Sequence, residues 1–342
     1  MENTGKIAIS SEKPRVLIDR RLSVAPMMDW TDRHCRYIHR LYAPHALLYT
    51  EMIVSAAIVR GNADRLLAHD AAEHPVALQL GGADPRELAA AARIGAAAGF
   101  DEINLNVGCP SDRVRSGSFG ACLMLRPELV AECVERMRES TQLPVTVKCR
   151  IGVDARDDYE FFSEFAAAVA LAGVSALIVH ARAAILAGLS PKENREIPPL
   201  KYDYVHRLKR DHPDLPIVLN GGMAEVGAVS AHVAAGLDGV MLGRAAYHRP
   251  ALLAEIERAL IDPGWSVPEP WRIVQRLVPY ARAEVQRGVR LHSITRHLHG
   301  LMAGCAGARA WRRFLSDVAT GPDATPESLF SALSSLEKGV AA

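Results

Sequence analysis

Apolar residues fall in short runs along the chain, each followed by a stretch in which they recur at helical spacing. The first run is LSVAPM at 22–27; others span 47–52, 75–82, 103–107, 144–150, 176–182, 216–222 and 237–244. Thr31 and Asp32 stand where a helix cap belongs, ahead of a helix running through Cys35 and Ile38 to about Leu41. Asp84 and Pro85 open an Ala-rich helix that Gly99 stops. Further helices are expected from Ser55, over 127–141, 158–172, 202–210 and 224–234, and after the eighth run to about Leu260, with a polar loop over 188–199. The strands are apolar on both faces, as parallel strands covered by helices are. Eight such units in roughly 240 residues fit an α/β fold of the (β/α)8 TIM barrel type better than an open doubly wound sheet.

The pattern changes after residue 261. Asp262, Pro263, Gly264 and Trp265 begin a turn-rich linker to Pro270. Helical spacing follows from Trp271 to about Ala303, from Arg309 to Val318 and from Pro326 to Leu336. The expected organisation is a loose extension over 1–20, a barrel over 21–261 and a small C-terminal all-helical domain over 262–342. Residues 272–313 hold nine Arg and one acidic residue, Glu284. The whole chain carries a net charge of only +1, so no global field draws it to nucleic acid or membrane. Basic charge gathered in one helical module is instead suited to a polyanion; the plain alternative is a solvated helix surface.

In a barrel of this type, groups at the C-terminal strand ends face the active site. Here those ends carry Pro26, Met27, Met28, Glu51, Gln79, the segment from Asn104 to Cys109, Lys148, Arg150, His180, Asn220, Gly221, Gly222, Gly243 and Arg244. The glycines after the last two strands stand where barrels commonly hold a phosphate. Neither a GxGxxG turn after a strand nor a P-loop is present. Gln79, Lys148 and His180 converge on the same centre. An amide and a cation there suit the edge of an isoalloxazine ring. Each has a plain alternative, a solvated Lys or a core His bonded to backbone.

Cys109 sits in NLNVGCPS, between a freed backbone at Gly108 and a stiff one at Pro110. Such a thiol is either a small buried core residue or a working acid or nucleophile. Above a flavin it reads as a general acid, delivering a proton to the carbon beside the one that receives hydride. Ser116, Gly117, Ser118, Phe119 and Gly120 read as a mobile loop able to close over a substrate.

The six cysteines, at 35, 109, 122, 133, 149 and 305, form no CxxC pair. That favours reduced thiols in a cytoplasmic protein over disulfides or a zinc site. Cys35, Cys122, Cys133 and Cys149 read as packing. His292, His297 and His299 lack a neighbouring carboxylate or thiol in sequence to complete a metal site, and no metal is expected. No signal-like or membrane-spanning apolar run occurs.

Several motifs together resemble the tRNA-dihydrouridine synthases: VAPMMDWTDRHCR, LQLGG, INLNVGCPSDRV, FGACLM, VTVKCRIG, VHAR, GLSPKENREIPPL, LNGG and GVMLGRAAY. SPKENREIPPL is similar to the A-type of the bacterial family. The resemblance implies an FMN barrel with a helical C-terminal domain, NADPH as electron donor, and reduction of uridine to dihydrouridine at positions 20 and 20a of the tRNA D-loop. It implies Cys109 as proton donor. It places FMN against Pro26, Met27, Met28, Gln79, Lys148, His180, Asn220, Gly221, Gly222, Gly243 and Arg244, and Asn106 beside the uracil. Lys192, Arg195, Arg309 and Arg312 are similar to tRNA-orienting positions. Cys149 departs from the family, which often has Thr there. No protein partner is expected, and the chain is expected to act as a monomer.

Two rival readings remain. One is an FMN barrel acting on a free pyrimidine, which leaves the Arg-rich tail without a purpose. The other is a non-catalytic RNA-binding flavoprotein, which leaves Cys109 and Lys148 without one.

Overall fold

The computed structural model describes residues 18–111, 119–317, 321 and 324–340. Residues 1–17 of the expected extension, Ser116–Ser118 of the expected mobile loop and Val318 lie outside that set. Eight parallel strands close on themselves: β1 (Leu22–Val24), β2 (Leu47–Tyr49), β3 (Val76–Gly81), β4 (Glu102–Val107), β5 (Val145–Arg150), β6 (Leu177–His180), β7 (Ile217–Asn220) and β8 (Gly239–Leu242). Pairing of β1 with both β2 and β8 completes the ring. The helices that follow the strands are α1 (Arg33–Tyr42), α2 (Ser55–Arg60), α3 (Pro85–Ala97), α4 (Pro127–Ser140), α5 (Tyr159–Leu171), α6 (Tyr202–Asp211), α7 (Val226–Ala234) and α8 (Ala251–Leu260). This is the expected TIM barrel, with one addition. A two-residue strand, Ile53–Val54, pairs with the end of β3.

Side chains that alternate along each strand divide into two cores. Leu78, Leu80, Ile103, Leu105, Val145 and Val147 point outward and pack beneath the helices. Leu47, Tyr49, Ala77, Ile178, Val218 and Met241 fill the lower barrel interior. One acid is buried there. Glu102 is fully enclosed and accepts hydrogen bonds from Tyr49 and Thr146, both at 2.6 Å, and it pairs with Arg20. A buried carboxylate held this way is satisfied, so removing any one partner costs more than the bond itself contributes.

The first strand is shorter than its apolar run. Pro26 has no N–H to give a ladder, and the N–H of Met27 donates to Thr31 Oγ1 at 2.8 Å instead. Thr31 therefore closes a turn, and Asp32 alone caps α1, accepting from the N–H groups of His34 and Cys35 at 3.0 Å.

The C-terminal helices are α9 (Pro270–Gln286), α10 (Ala308–Asp317) and α11 (Ser328–Val340). A continuous helix from Trp271 to Ala303 does not form. After α9 the chain turns at Gly288, whose φ of 90° ends helical geometry, and resumes as a short helix, Leu291–Thr295, and a 3-10 turn, Arg296–Leu298. Buried Trp311 of α10 donates its indole N–H to the carbonyl of Leu298 at 2.8 Å. The module sits on α1, where Tyr37 and Tyr280 stack with centroids 3.8 Å apart. Among the described residues, no helix is long and apolar enough to cross a membrane.

Candidate active site

A cavity of about 1520 Å³ opens at the C-terminal ends of the strands. All eleven positions expected at the cofactor line it: Pro26, Met27, Met28, Gln79, Lys148, His180, Asn220, Gly221, Gly222, Gly243 and Arg244. Asn106, Cys109 and Arg195 line it too. Lys192 does not line it and is exposed on the loop before α6. Arg309 and Arg312 stand exposed on α10, with no ion pair among the described residues.

Strand register explains how the site is held. Gln79 is opposite Asn104, and Asn104 opposite Thr146, so three inward polar side chains form one line across β3, β4 and β5. Gln79 Nε2 donates to Asn104 Oδ1 at 2.7 Å, and Asn104 Nδ2 donates to Thr146 Oγ1 at 2.9 Å. Asn106, two residues along on the same face, donates from Nδ2 to Gln79 Oε1 at 2.9 Å. Its Oδ1 then accepts from the N–H groups of Gly108 and Cys109, at 3.1 and 3.0 Å. One buried amide thus fixes the turn that carries the thiol. The Cys109 thiol is half-buried and lies 3.4 Å from the Ser111 hydroxyl. Gln79, expected to offer its amide outward, has its carbonyl and one N–H committed to this line.

The other wall is cationic. Lys148 is opposite Asn106 on β5 and has no hydrogen-bond partner among the described residues. Desolvation, then the charge of Arg150, pulls its ammonium down to about 8. Desolvation, with Arg150 and Lys148 nearby, keeps His180 far below its usual range, so the ring is neutral at pH 7. Arg150 lies near the end of the same strand. It donates to the carbonyls of Gly108 at 3.1 Å, Ala183 at 3.0 Å and Asn194 at 2.9 Å. It therefore joins the thiol turn to the loop bearing Lys192 and Arg195. Asn194 is buried at the base of that loop, donating to the carbonyl of Ile185 at 2.8 Å. Neither Arg150 nor Asn194 was assigned a role from sequence. The alternating polar positions 102, 104, 106 and 146, 148, 150 were the available signal for the β4–β5 half of the network.

After β7 the backbone itself forms a cradle. Gly221 and Gly222 have φ of 109° and 73°, and the carbonyl of Gly221 accepts from Tyr202 OH at 2.8 Å. A Cβ on Gly221 would lie 2.7 Å from the His180 ring, and one on Gly222 2.3 Å from Tyr202 Oη. Side-chain-free backbone beside two polar groups that have no hydrogen-bond partner among the described residues, Lys148 and His180, suits an anionic planar cofactor. Arg244 stands at the rim, paired with Glu196.

The amine gives a direct test. With a pKa near 8 where an ordinary Lys has 10.5, Lys148 loses its proton in the folded chain while the unfolded chain keeps it. Its burial therefore costs stability fully below pH 8, and the cost fades as pH rises toward 10.5. In flavin-free protein, acylation of Lys148 should reach half its limiting rate near pH 8, ahead of the other lysines, as peptide mass spectrometry at stepped pH will record. A labelling midpoint near that of ordinary lysines would refute the shift.

The sequence pattern of the family described as Dihydrouridine synthase (Dus) matches residues 23–336. The chain belongs to the dihydrouridine synthase family. It is accordingly an oxidoreductase acting on the CH–CH group of uridine. Similar curated proteins include the tRNA-dihydrouridine(20/20a) synthase of Xanthomonas campestris pv. campestris, 56% identical over 306 residues, covering 89% of this chain and 90% of that protein. Those of Shewanella oneidensis and Pseudomonas putida are 53% and 54% identical, covering 88% and 87% of this chain and 89% and 88% of theirs. Among solved structures, a 2-naphthoyl-CoA reductase complex aligns with a TM-score of 0.55 at 11% identity, covering 70% of this chain and 49% of that one. Morphinone reductase aligns with a TM-score of 0.51 at 15% identity, covering 73% and 87%. These two share the barrel fold with this dihydrouridine synthase.

The remaining cysteines behave as packing residues or lie apart. Cys35, Cys133 and Cys149 are buried, and desolvation raises all three thiols, Cys133 and Cys149 to about 12. Cys122 is half-buried and Cys305 exposed. His297 has a carboxylate beside it after all. Asp32 of the barrel lies 3.0 Å from its Nε2, a partner 265 residues away in sequence.

Proposed function

We propose that this chain is an FMN-dependent enzyme that uses NADPH to reduce uridine to 5,6-dihydrouridine in the tRNA D-loop, at positions 20 and 20a. The names of the similar curated proteins support the tRNA substrate and the positions. The observation that carries the reaction is the thiol turn. Cys109 is held by Asn106 at the mouth of a cavity whose walls hold Lys148, neutral His180 and the Gly221–Gly222 cradle.

The cradle suits the phosphate of FMN, since both glycines line the cavity with left-handed backbone and no side chain. Arg244, Asn220 and Gly243 extend that surface, and Met27 and Met28 border the opening. A flavin held there supplies the electron pair for the uracil double bond. The chain's own residues do the rest. Lys148 offers a cation against negative charge on the flavin, and Asn106 orients both the turn and the pyrimidine. Cys109 Sγ gives its proton to the carbon beside the one reduced. The base must leave the folded loop to reach this depth, at a cost offset by contacts to the tRNA body.

Those contacts fall to Lys192, Arg195, Arg309 and Arg312. The tail's positive charge is partly neutralised within the protein. Arg282, Arg287, Arg296 and Arg313 pair with Glu327, Glu284, Asp32 and Asp317. Arg309 and Arg312, three apart on α10, remain exposed for phosphate. The test is to incubate the yellow holoprotein with NADPH and unmodified tRNA and map dihydrouridine by sequencing. Product at 20 and 20a is expected; product at 16 or 17 refutes the positions, and none refutes the function. Arg309→Ala with Arg312→Ala should weaken tRNA binding and lower its salt slope by about one for each arginine removed. An unchanged slope would take α10 off the docking surface, whereas a wild-type affinity with no steep salt dependence would favour a small free substrate.

A further inference from the structure

The segment that leaves β1 serves two structures at once. Pro26, Met27 and Met28 border the cavity, and the next nine residues carry the C-terminal helices. Trp30 stacks on Tyr247 at 4.4 Å, and Tyr247 in turn lies 3.2 Å from His297 Nδ1. Asp32 accepts from Arg296 at 2.6 Å and sits 3.0 Å from His297. Arg33 pairs with Glu284 of α9. His34 Nδ1 lies 2.7 Å from Tyr280 OH, and Tyr37 stacks on the same ring.

Glu284 is the one acidic residue in the Arg-rich stretch, and its side chain is 1% exposed. An acid in that place does nothing for a polyanion. It binds Arg33 of the barrel and Arg287 of its own helix end, at 2.8 Å for the latter. His297 is buried to the same degree against Asp32. Two charge-assisted pairs, Arg33–Glu284 and Arg296–Asp32, thus cross between the barrel and the module, and Asp32, Arg33 and Arg296 themselves line the cavity.

We infer that these two pairs set the register of the helical module against the cradle, and so decide which uridine reaches it. Arg33, Asp32, Glu284 and Arg296 are positioning residues for substrate choice. The inference rests on the tRNA reading above. The reason is geometric. The tRNA body docks on the module, while reduction happens at one fixed point over the barrel. A small rotation of the module about α1 moves a different nucleotide over that point. Hydrogen-bonded charge pairs fix direction as well as distance.

The test uses holoprotein carrying Arg33→Met, Arg296→Met, or both. Glu284 keeps Arg287 in these variants, and Asp32 keeps His297 and the two amides of α1, so no buried carboxylate is left bare. Dihydrouridine is mapped along the D-loop by sequencing, with melting curves and the salt dependence of tRNA affinity recorded for each. The share of product at uridines the wild type leaves unreduced should rise by about tenfold in each single variant, the factor that losing one charge-assisted hydrogen bond corresponds to, and further in the double variant. The salt slope should not change. An unaltered distribution in folded variants overturns the inference. A slope reduced by about one per Arg also overturns it, because these residues would then be phosphate contacts. Either single variant decides the matter if the double one does not fold. Wild-type protein that forms no dihydrouridine on tRNA removes the functional reading, and this inference with it.

Discussion

Cys109→Ala is expected to bind flavin and tRNA yet form dihydrouridine about 10²–10⁴-fold more slowly, the factor a positioned general acid contributes. The expectation rests on what the substitution leaves in place. Asn106 Oδ1 grips the backbone N–H of residues 108 and 109, not the thiol, so the turn survives truncation. Arg150 still holds the Gly108 carbonyl at 3.1 Å. Only Sγ and its approach to the Ser111 hydroxyl disappear. The comparison to make is single-turnover conversion of tRNA by pre-reduced wild type and variant, followed by sequencing. Equal rates would show that another group, or water, delivers the proton.

The same network separates loss of the acid from loss of its mounting. Asn106, Gln79, Asn104 and Thr146 form one chain of hydrogen bonds between 2.7 and 2.9 Å, all buried. Cutting it strands buried polar groups, each costing about 1–3 kcal/mol, so those changes lower stability along with rate. Cys109 is the position at which chemistry can be removed without that cost.

The order of strands and helices was legible because each strand is a run of apolar residues closed by a turn, and each helix repeats at its own period. Strand ends were less so. Pro26 and Met27 follow β1 outside the ladder, and the turn closes where the N–H groups of Trp30 and Thr31 donate to the Met27 carbonyl and the Met27 N–H donates to the Thr31 hydroxyl. The ring of polar strand ends was legible too, since barrel geometry places every such end on one rim. What sequence does not state is register. Gln79, Asn104 and Thr146 can bond in a line only because β3, β4 and β5 pair with those residues opposite one another. Long-range charge pairing was equally hidden. Glu284 stood out as an exception in a basic stretch, but its partner Arg33 is 251 residues away. Likewise the tail's Arg count overstated the charge available to a polyanion, because pairing within the protein consumes part of it.

Gly221→Ala is expected to abolish flavin binding while leaving a folded barrel. The backbone there has φ of 109°, a region closed to side chains, and the new Cβ would meet His180 Cδ2 at 2.7 Å and Leu200 Cδ2 at 3.1 Å. Backbone strain of this kind costs about 1–3 kcal/mol, which the barrel can bear. Relief comes by turning the peptide or displacing the His180 ring, and either change ruins the surface proposed to hold the phosphate and the ring edge. A melting temperature lowered by roughly 2–4 °C per kcal/mol and a colourless protein are the expected results. Gly227→Ala is the matched control. That glycine lies on α7 with nothing within 4 Å of an added Cβ, so the change should stabilise by about 0.5–1 kcal/mol and leave the protein yellow. Flavin content is read from the absorbance spectrum after gel filtration, beside a melting curve for each variant. A yellow Gly221→Ala protein with wild-type flavin content would move the phosphate site away from β7 and leave Gly243 and Arg244, after β8, as the groups to test.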